Sequence, residues 1–282
     1  MENMREIDTK EIGGKLYAMI LKAGRNLTPS CVAALRAAEQ KESRPLCKTA
    51  LGVCLENGKI AARENMPVCQ DTGLAVVILE IGQDVRLTGA PLADEVNAAV
   101  RRAYQDGCFR KSCCDPLTRE NTGDNTPAVL YTELTAGDGV KISFLPKGFG
   151  SENMSRIFML TPARGTEGIL ESIEETVRLA GGRPCPPVYV GVGIGGTFDK
   201  CAYLAKKALL RPVGEHHPRA DVADIEKKAL ERVNALRIGA QGFGGDVTAL
   251  GVSCEIAPTH IAGLPVAVNV QCHCVRCEEE RL

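Results

Sequence analysis

The sequence predicts an α+β fold: a helical N-terminal portion followed by a mixed β-sheet flanked by helices. Three observations carry this. Residues 1–65 show apolar positions at helical spacing, with prolines where helices open. From Met66 onward, short β-branched runs bounded by turn residues alternate with amphipathic stretches. No internal repeat, low-complexity tract or long linker interrupts the 282 residues. The chain therefore reads as one domain over 1–282, with a helical portion at 1–65 and an α/β portion at 66–282.

The elements follow in order. Thr9–Ala23 carries Ile12, Leu16, Ile20 and Leu21 at helical spacing. Thr28 suits an N-cap and Pro29 the first helical position, opening a second helix to about Gln40. Pro45 opens a third, through Leu51 and Cys54 to Ala62. Leu74–Ile81 (LAVVILEI) reads as a buried strand and Pro91–Tyr104 as an amphipathic helix. Ala128–Leu134 and Val140–Leu145 read as strands, and the intervening TAGDG predicts a hairpin. Glu167–Leu179 is a helix ended by Gly181-Gly182. Val188–Val192 is a strand, and Phe198–Leu210 and Ala220–Leu236 are helices. Two last strands fall near Val247–Cys254 and Val266–Gln271.

Composition excludes several functions. Lys+Arg (34) and Asp+Glu (35) nearly cancel, which argues against a nucleic-acid partner. No run reaches the roughly 18–20 apolar residues of a membrane span. The N-terminus is polar, so no secretory signal is expected. Thirteen cysteines, an odd number, amount to about 4.6%, below the roughly 8–10% of a disulfide scaffold. Reduced thiols in the cytoplasm are the expectation.

Several motifs compete for chemistry. Gly191-Val-Gly193-Ile-Gly-Gly196 matches a dinucleotide fingerprint, yet no second strand ends in a ribose-binding acid about 20 residues on. A tight strand-to-helix turn is the plainer reading, and an anion held by helix N–H groups an intermediate one. Cys272-His273-Cys274-Val-Arg-Cys277 is the densest ligand cluster, but its single CxxC lacks the second half-site of a zinc ribbon. Cys113-Cys114 is a vicinal pair, read as packing or incidental exposure. Cys69, Cys185 and Cys272 sit beside Pro, Gly or Asn in turn-like or strand-end contexts. Three such loop cysteines could converge on one metal cluster, and a site supplying only three thiolates would leave one iron open to substrate.

Six blocks, in order, carry a resemblance. They are PVCQDTG (67–73), NTGDNTPA (121–128), FLPKGFGSEN (144–153), CPPVYVGVGIGG (185–196), AKKALLRP (205–212) and PTHIAGLPVAVNVQCH (258–273). From about Ile7 to Arg276 the chain resembles the α subunit of two-subunit class I iron–sulfur fumarate hydratases. The α subunit of L(+)-tartrate dehydratase belongs to the same family. The resemblance implies a [4Fe–4S] cluster on Cys69, Cys185 and Cys272, with Cys274 competing for the last place. It implies substrate contacts from Gln70, Asp71, Arg110, His260 and Gly150, or alternatively Gly148. Asp71 and His260 would be catalytic. Phe149 departs from the all-glycine form of this loop in single-chain relatives.

The implied reaction is Lewis-acid dehydration of malate to fumarate, as in the tricarboxylic acid cycle, with L(+)-tartrate the alternative substrate. An iron held by three thiolates should be oxygen-labile. Single-chain relatives continue into a second domain with further substrate-binding residues. This chain stops at Leu282, so the resemblance implies a separate β subunit in a heteromer and weak activity without it. Two readings from other classes remain: a zinc-binding structural protein using the CHCVRC tail, and a dinucleotide-binding oxidoreductase using Gly191–Gly196.

Overall fold

A computed structural model describes residues 4–282. In chain order the elements are β1 (Arg5–Asp8), α1 (Thr9–Arg25), α2 (Pro29–Lys41), α3 (Pro45–Glu64), β2 (Leu74–Gly82) and β3 (Val85–Thr88). There follow α4 (Leu92–Asp106), β4 (Val129–Thr135), β5 (Val140–Lys147), α5 (Phe149–Glu152), β6 (Arg156–Leu160) and α6 (Gly165–Ala180). The last are β7 (Val188–Gly195), α7 (Phe198–Ala208), α8 (Ala220–Ala235), β8 (Ala249–Ala257), β9 (Leu264–Gln271) and β10 (Glu278–Arg281). This is the α+β class that the sequence predicts. No described helix is long and apolar enough to cross a membrane.

The chain forms two compact units. The first comprises the chain up to Leu27, Gly58–Gly148 and Arg276–Leu282; the second comprises Thr28–Asn57 and Phe149–Val275. Their boundaries do not follow the change of character at Met66, because α3 contributes residues to both.

In the first unit a four-stranded sheet has the order β10-β5-β2-β4, and β1 pairs with β3 in a small parallel pair. The Asp8 side chain caps α1 by accepting from the Lys10 N–H at 3.0 Å. Ile12, Leu16 and Ile20 of α1 and Val96, Val100 and Tyr104 of α4 share one buried core with Val77, Leu79, Ile142 and Phe144 of the sheet. The expected hairpin of β4 and β5 does not form. β4 pairs parallel with β2, and β5 pairs antiparallel with β2, which lies between them. β2 is apolar on both faces and takes the central place, where both faces are covered. The TAGDG turn instead wraps the end of β2: Gln83 N–H donates to Thr135 O at 2.8 Å, and Gly82 N–H donates to Gly139 O at 2.8 Å. A Cβ at Gly82 would lie 2.1 Å from Gly137 O, so only glycine admits this crossing.

In the second unit the sheet order is β6-β9-β7-β8, with β7 parallel to β8 and antiparallel to β9. Thr28 caps α2 as expected, accepting from Cys31 N–H at 3.2 Å, with Pro29 in the first turn. Gly191 and Gly193 lie inside β7, not in a phosphate-binding turn. Cβ atoms there would lie 2.2 Å from Ala205 O and 2.0 Å from Cys201 O. The glycines therefore let α7 press onto the sheet, and the tight turn expected of the motif is confined to its end, at Gly195 and Gly196 with φ +86° and +69°.

Candidate active site

In the first unit, the loop Cys69–Gly73 enters β2 and is tied down from four sides. The Tyr104 hydroxyl reaches Thr72 O at 3.1 Å and Gly73 O at 2.8 Å. Asn125 Nδ2 donates to Gly73 O at 3.2 Å, while its Oδ1 accepts from Ser112 N–H at 2.7 Å. The Thr72 hydroxyl donates to Arg110 O at 3.0 Å. Arg276 Nη2 donates to Asp71 O at 2.5 Å. Gly73, at φ +81°, packs so closely on the end of β5 that a Cβ would lie 2.7 Å from Lys147 N. Gln70 and Arg110 stay exposed, Cys69 and Asp71 half-buried, and Lys147 buried. The Asp71 carboxylate accepts from Gly73 N–H at 3.0 Å. Its other oxygen lies beside Gly148, where a Cβ would come within 3.2 Å. The structure thus gathers Cys69, Gln70, Asp71, Gly148 and the main chain of Arg110.

In the second unit, Cys185 and Cys272 lie on neighbouring segments at the end where β7 begins and β9 ends. His273 joins them: its N–H donates to Cys185 O at 3.3 Å, and its Nδ1 lies 3.0 Å from the same oxygen. Gln241 Nε2 donates to Pro186 O at 3.1 Å and lies 3.3 Å from His273 Nδ1. Gln271, on β9, points its amide at Cys272 Sγ (3.8 Å) and at Cys274 O (3.3 Å). Cys185 is exposed and held at φ +53°, a conformation that L side chains rarely adopt. Burial opposes protonation of His273, but the Cys54 thiol, the charge of Cys272 and the Cys185 carbonyl outweigh it, raising its pKa to about 10. Gly150, in α5, lies near Arg183, two residues before Cys185.

His260 falls elsewhere. It sits in the exposed connection between β8 and β9, where its Nδ1 accepts from Ala262 N–H at 3.1 Å. Cys272 follows the opposite end of β9. Eight strand residues at about 3.3 Å each separate the two ends by roughly 23 Å. His260 and Cys272 of one chain are therefore not brought together.

The thiols divide by environment. No cysteine is in a disulfide; Cys69 and Cys272 are half-buried and Cys185 is exposed, whereas Cys31, Cys47, Cys54, Cys201, Cys254 and Cys274 are buried. Burial raises the pKa of Cys47, Cys201 and Cys254, which disfavours the thiolate that ligates metals. Cys277, in the CHCVRC tail, is pushed up to about 12 by burial and by Glu279. Among the described residues no group of three or more His, Cys, Asp or Glu is gathered as a cation site, whether for zinc or for a cluster. For a cluster, the donor chemistry fits in part. Unit two sets the segments that carry Cys185 and Cys272 side by side, and unit one offers a third thiol on an anchored loop.

Comparison with known proteins supplies the frame. A model of the Fumerase family, described as "Fumarate hydratase (Fumerase)", matches residues 14–280. This chain belongs to the Fumerase family, a family of hydro-lyases. A protein of Methanocaldococcus jannaschii named "Putative L(+)-tartrate dehydratase subunit alpha" is 44% identical over 245 residues, covering 85% of this chain and 86% of that protein. The L(+)-tartrate dehydratase subunit alpha of Escherichia coli K12 is 31% identical over 266 residues, covering 93% of this chain and 86% of that protein.

The Fumerase-family chain also has site residues that sequence reasoning missed. Tyr104, Asn125 and Arg276 anchor the Cys69–Gly73 loop, and Gln241 and His273 knit Cys185 to Cys272. Asn125 and His273 left a signal, since they lie in the NTGDNTPA and PTHIAGLPVAVNVQCH blocks, and Arg276 lies in the CHCVRC cluster. Tyr104 and Gln241 are ordinary residues in sequence and acquire their roles only through long-range contacts.

Proposed function

We propose that this chain is the α-type subunit of a hydro-lyase that dehydrates a four-carbon hydroxy-dicarboxylate, using a [4Fe–4S] cluster and a separate β-type subunit. The observation that carries this reading is the anchored Cys69-Gln70-Asp71 loop, in a chain that matches its family across residues 14–280. L(+)-tartrate stands ahead of malate as substrate, because relatives at 44% and 31% identity carry that name. The malate–fumarate reading is supported by the description of the family itself.

Cys69, Cys185 and Cys272 would hold the cluster, and Cys274 is set aside because it is buried at 3% exposure. When bound, such a group supplies a Lewis acid that polarises the substrate C–O bond. The protein does the rest. Arg110, exposed beside the loop, pairs with a substrate carboxylate in the two-point geometry of a guanidinium. Gln70 and a glycine N–H (Gly150, or Gly148 beside Asp71) orient the substrate. Asp71 keeps one oxygen on the Gly73 N–H and holds a substrate proton at the other. His260 is given no part in a site built around Cys272 of its own chain, because β9 separates them.

Iron and sulfide content after anaerobic reconstitution tests the ligand set. Cys69→Ser, Cys185→Ser and Cys272→Ser should each lose the cluster, and Cys274→Ser should keep it. Retention in any of the first three sinks the assignment. Anaerobic turnover of tartrate and malate, side by side, with and without the β-type chain tests the rest. Full-rate dehydration by the isolated chain would refute the two-subunit reading.

A further inference from the structure

Arg276 is the largest fully buried side chain among the described residues, at 2% exposure. One of its nitrogens, Nη2, donates to the main-chain oxygen of Asp71. The other two, Nε and Nη1, are buried and have no hydrogen-bond partner. A guanidinium is always charged and carries five N–H donors. Burying it with donors unmatched is costly, and proteins seldom leave such groups unpaired. The position makes the cost informative. Asp71 is the third residue of the Cys69-Gln70-Asp71 loop, and the same loop is held by Tyr104 and Asn125. Tyr104 and Asn125 already secure the loop main chain. Arg276 thus brings a buried positive charge that loop anchoring alone does not require.

We propose that Arg276 is a positioning and anion-binding residue of this loop. It fixes Asp71 through Nη2 and presents Nε–H and Nη1–H to a negatively charged acceptor bound beside Cys69–Asp71. That acceptor is either a carboxylate oxygen of the dicarboxylate or a sulfur of the thiolate-bound cluster. The inference rests on the functional reading above and deepens it.

The test uses the full-length chain and its Arg276→Met and Arg276→Lys variants. Far-UV circular dichroism and the thermal midpoint without iron report folding. Iron and sulfide per chain after anaerobic reconstitution report the cluster. Calorimetric titration with tartrate and malate reports the dicarboxylate. Met removes the unmatched charge at similar length, so Arg276→Met should fold with an unchanged or higher midpoint. A carboxylate acceptor predicts full iron content with dicarboxylate affinity at least ten-fold weaker. A sulfur acceptor predicts iron loss or faster cluster decay. In either case Arg276→Lys should recover part of the effect. A wild-type chain that loads iron and binds dicarboxylate, beside an Arg276→Met chain that does both equally well, overturns the proposal alone. So does an Arg276→Met chain whose only defect is a lower midpoint. A wild-type chain that neither loads iron nor binds either dicarboxylate overturns the functional reading, and the acceptor assigned to Arg276 falls with it.

Discussion

Replacing Asn125 should reveal how the substrate-side loop is held. Asn125 is fully buried, at 0% exposure and φ +64°. It bridges Ser112 N–H at 2.7 Å to Gly73 O at 3.2 Å, and so ties the segment carrying Arg110 to the loop carrying Cys69. In Asn125→Ala the Ser112 N–H loses its acceptor, at about 1–3 kcal/mol. Gly73 O keeps the Tyr104 hydroxyl at 2.8 Å, so its loss adds only about 0.5–1 kcal/mol. Alanine held at positive φ adds about 1 kcal/mol. The total is about 3–4 kcal/mol. Asn125→Gly relieves the last contribution, but its looser unfolded chain takes back part of the gain, so it should cost about 2.5–3.5 kcal/mol. Urea unfolding followed by circular dichroism in reducing buffer measures both. A loss below about 1 kcal/mol for Ala, or a Gly variant less stable than Ala, would refute this account.

Three further outcomes follow from the same geometry. Glu226, at 0% exposure, accepts from Arg211 Nη1 at 2.6 Å, Cys254 N–H at 2.8 Å and His217 N–H at 3.0 Å. Glu226→Ala should therefore destabilise by about 3–5 kcal/mol in denaturant titration, and Glu226→Gln by less. Asp124 is partly desolvated, which alone would raise its pKa, but the Thr126 hydroxyl, Arg101 and the Thr126 N–H lower it to about 2. Its contribution of about 1–2 kcal/mol is present above about pH 4 and lost as the pH falls through 2; Asp124→Asn should remove that part of the acid dependence. Gly193→Ala would place a Cβ 2.0 Å from Cys201 O and should abolish soluble folded protein, while NAD should not raise the thermal midpoint of the native chain.

Much of the fold is legible locally. The helices α1, α2, α4, α6, α7 and α8 announce themselves through apolar spacing, caps and terminal glycines, and β2 through its β-branched run. Four short strands do not. β10 reads EEER, with no apolar alternation, and becomes a strand only by pairing with β5. β1, β3 and β6 have four, four and five residues, too few for a period to show. The hairpin expectation fails for a related reason: a turn between two strands does not reveal that a third, more apolar strand will claim the place between them.

The site divides the same way. The sequence by itself determines which chemistry is available: the CQDTG, CPP and NVQCH blocks, thirteen cysteines and an almost neutral net charge. Those features are local, and residue type and spacing suffice to state them. The tertiary structure alone decides which residues share a place. It sets Gln70, Asp71 and Gly148 together, joins Cys185 to Cys272 through His273, and sends His260 to the far end of β9. It also decides that Cys274 is buried while Cys272 is not, although two residues separate them. The physical reason is that burial and long-range hydrogen bonding belong to the folded chain as a whole. Arg276 shows this most plainly, as one more surface-type residue in sequence and a buried charge with two open donors in the fold.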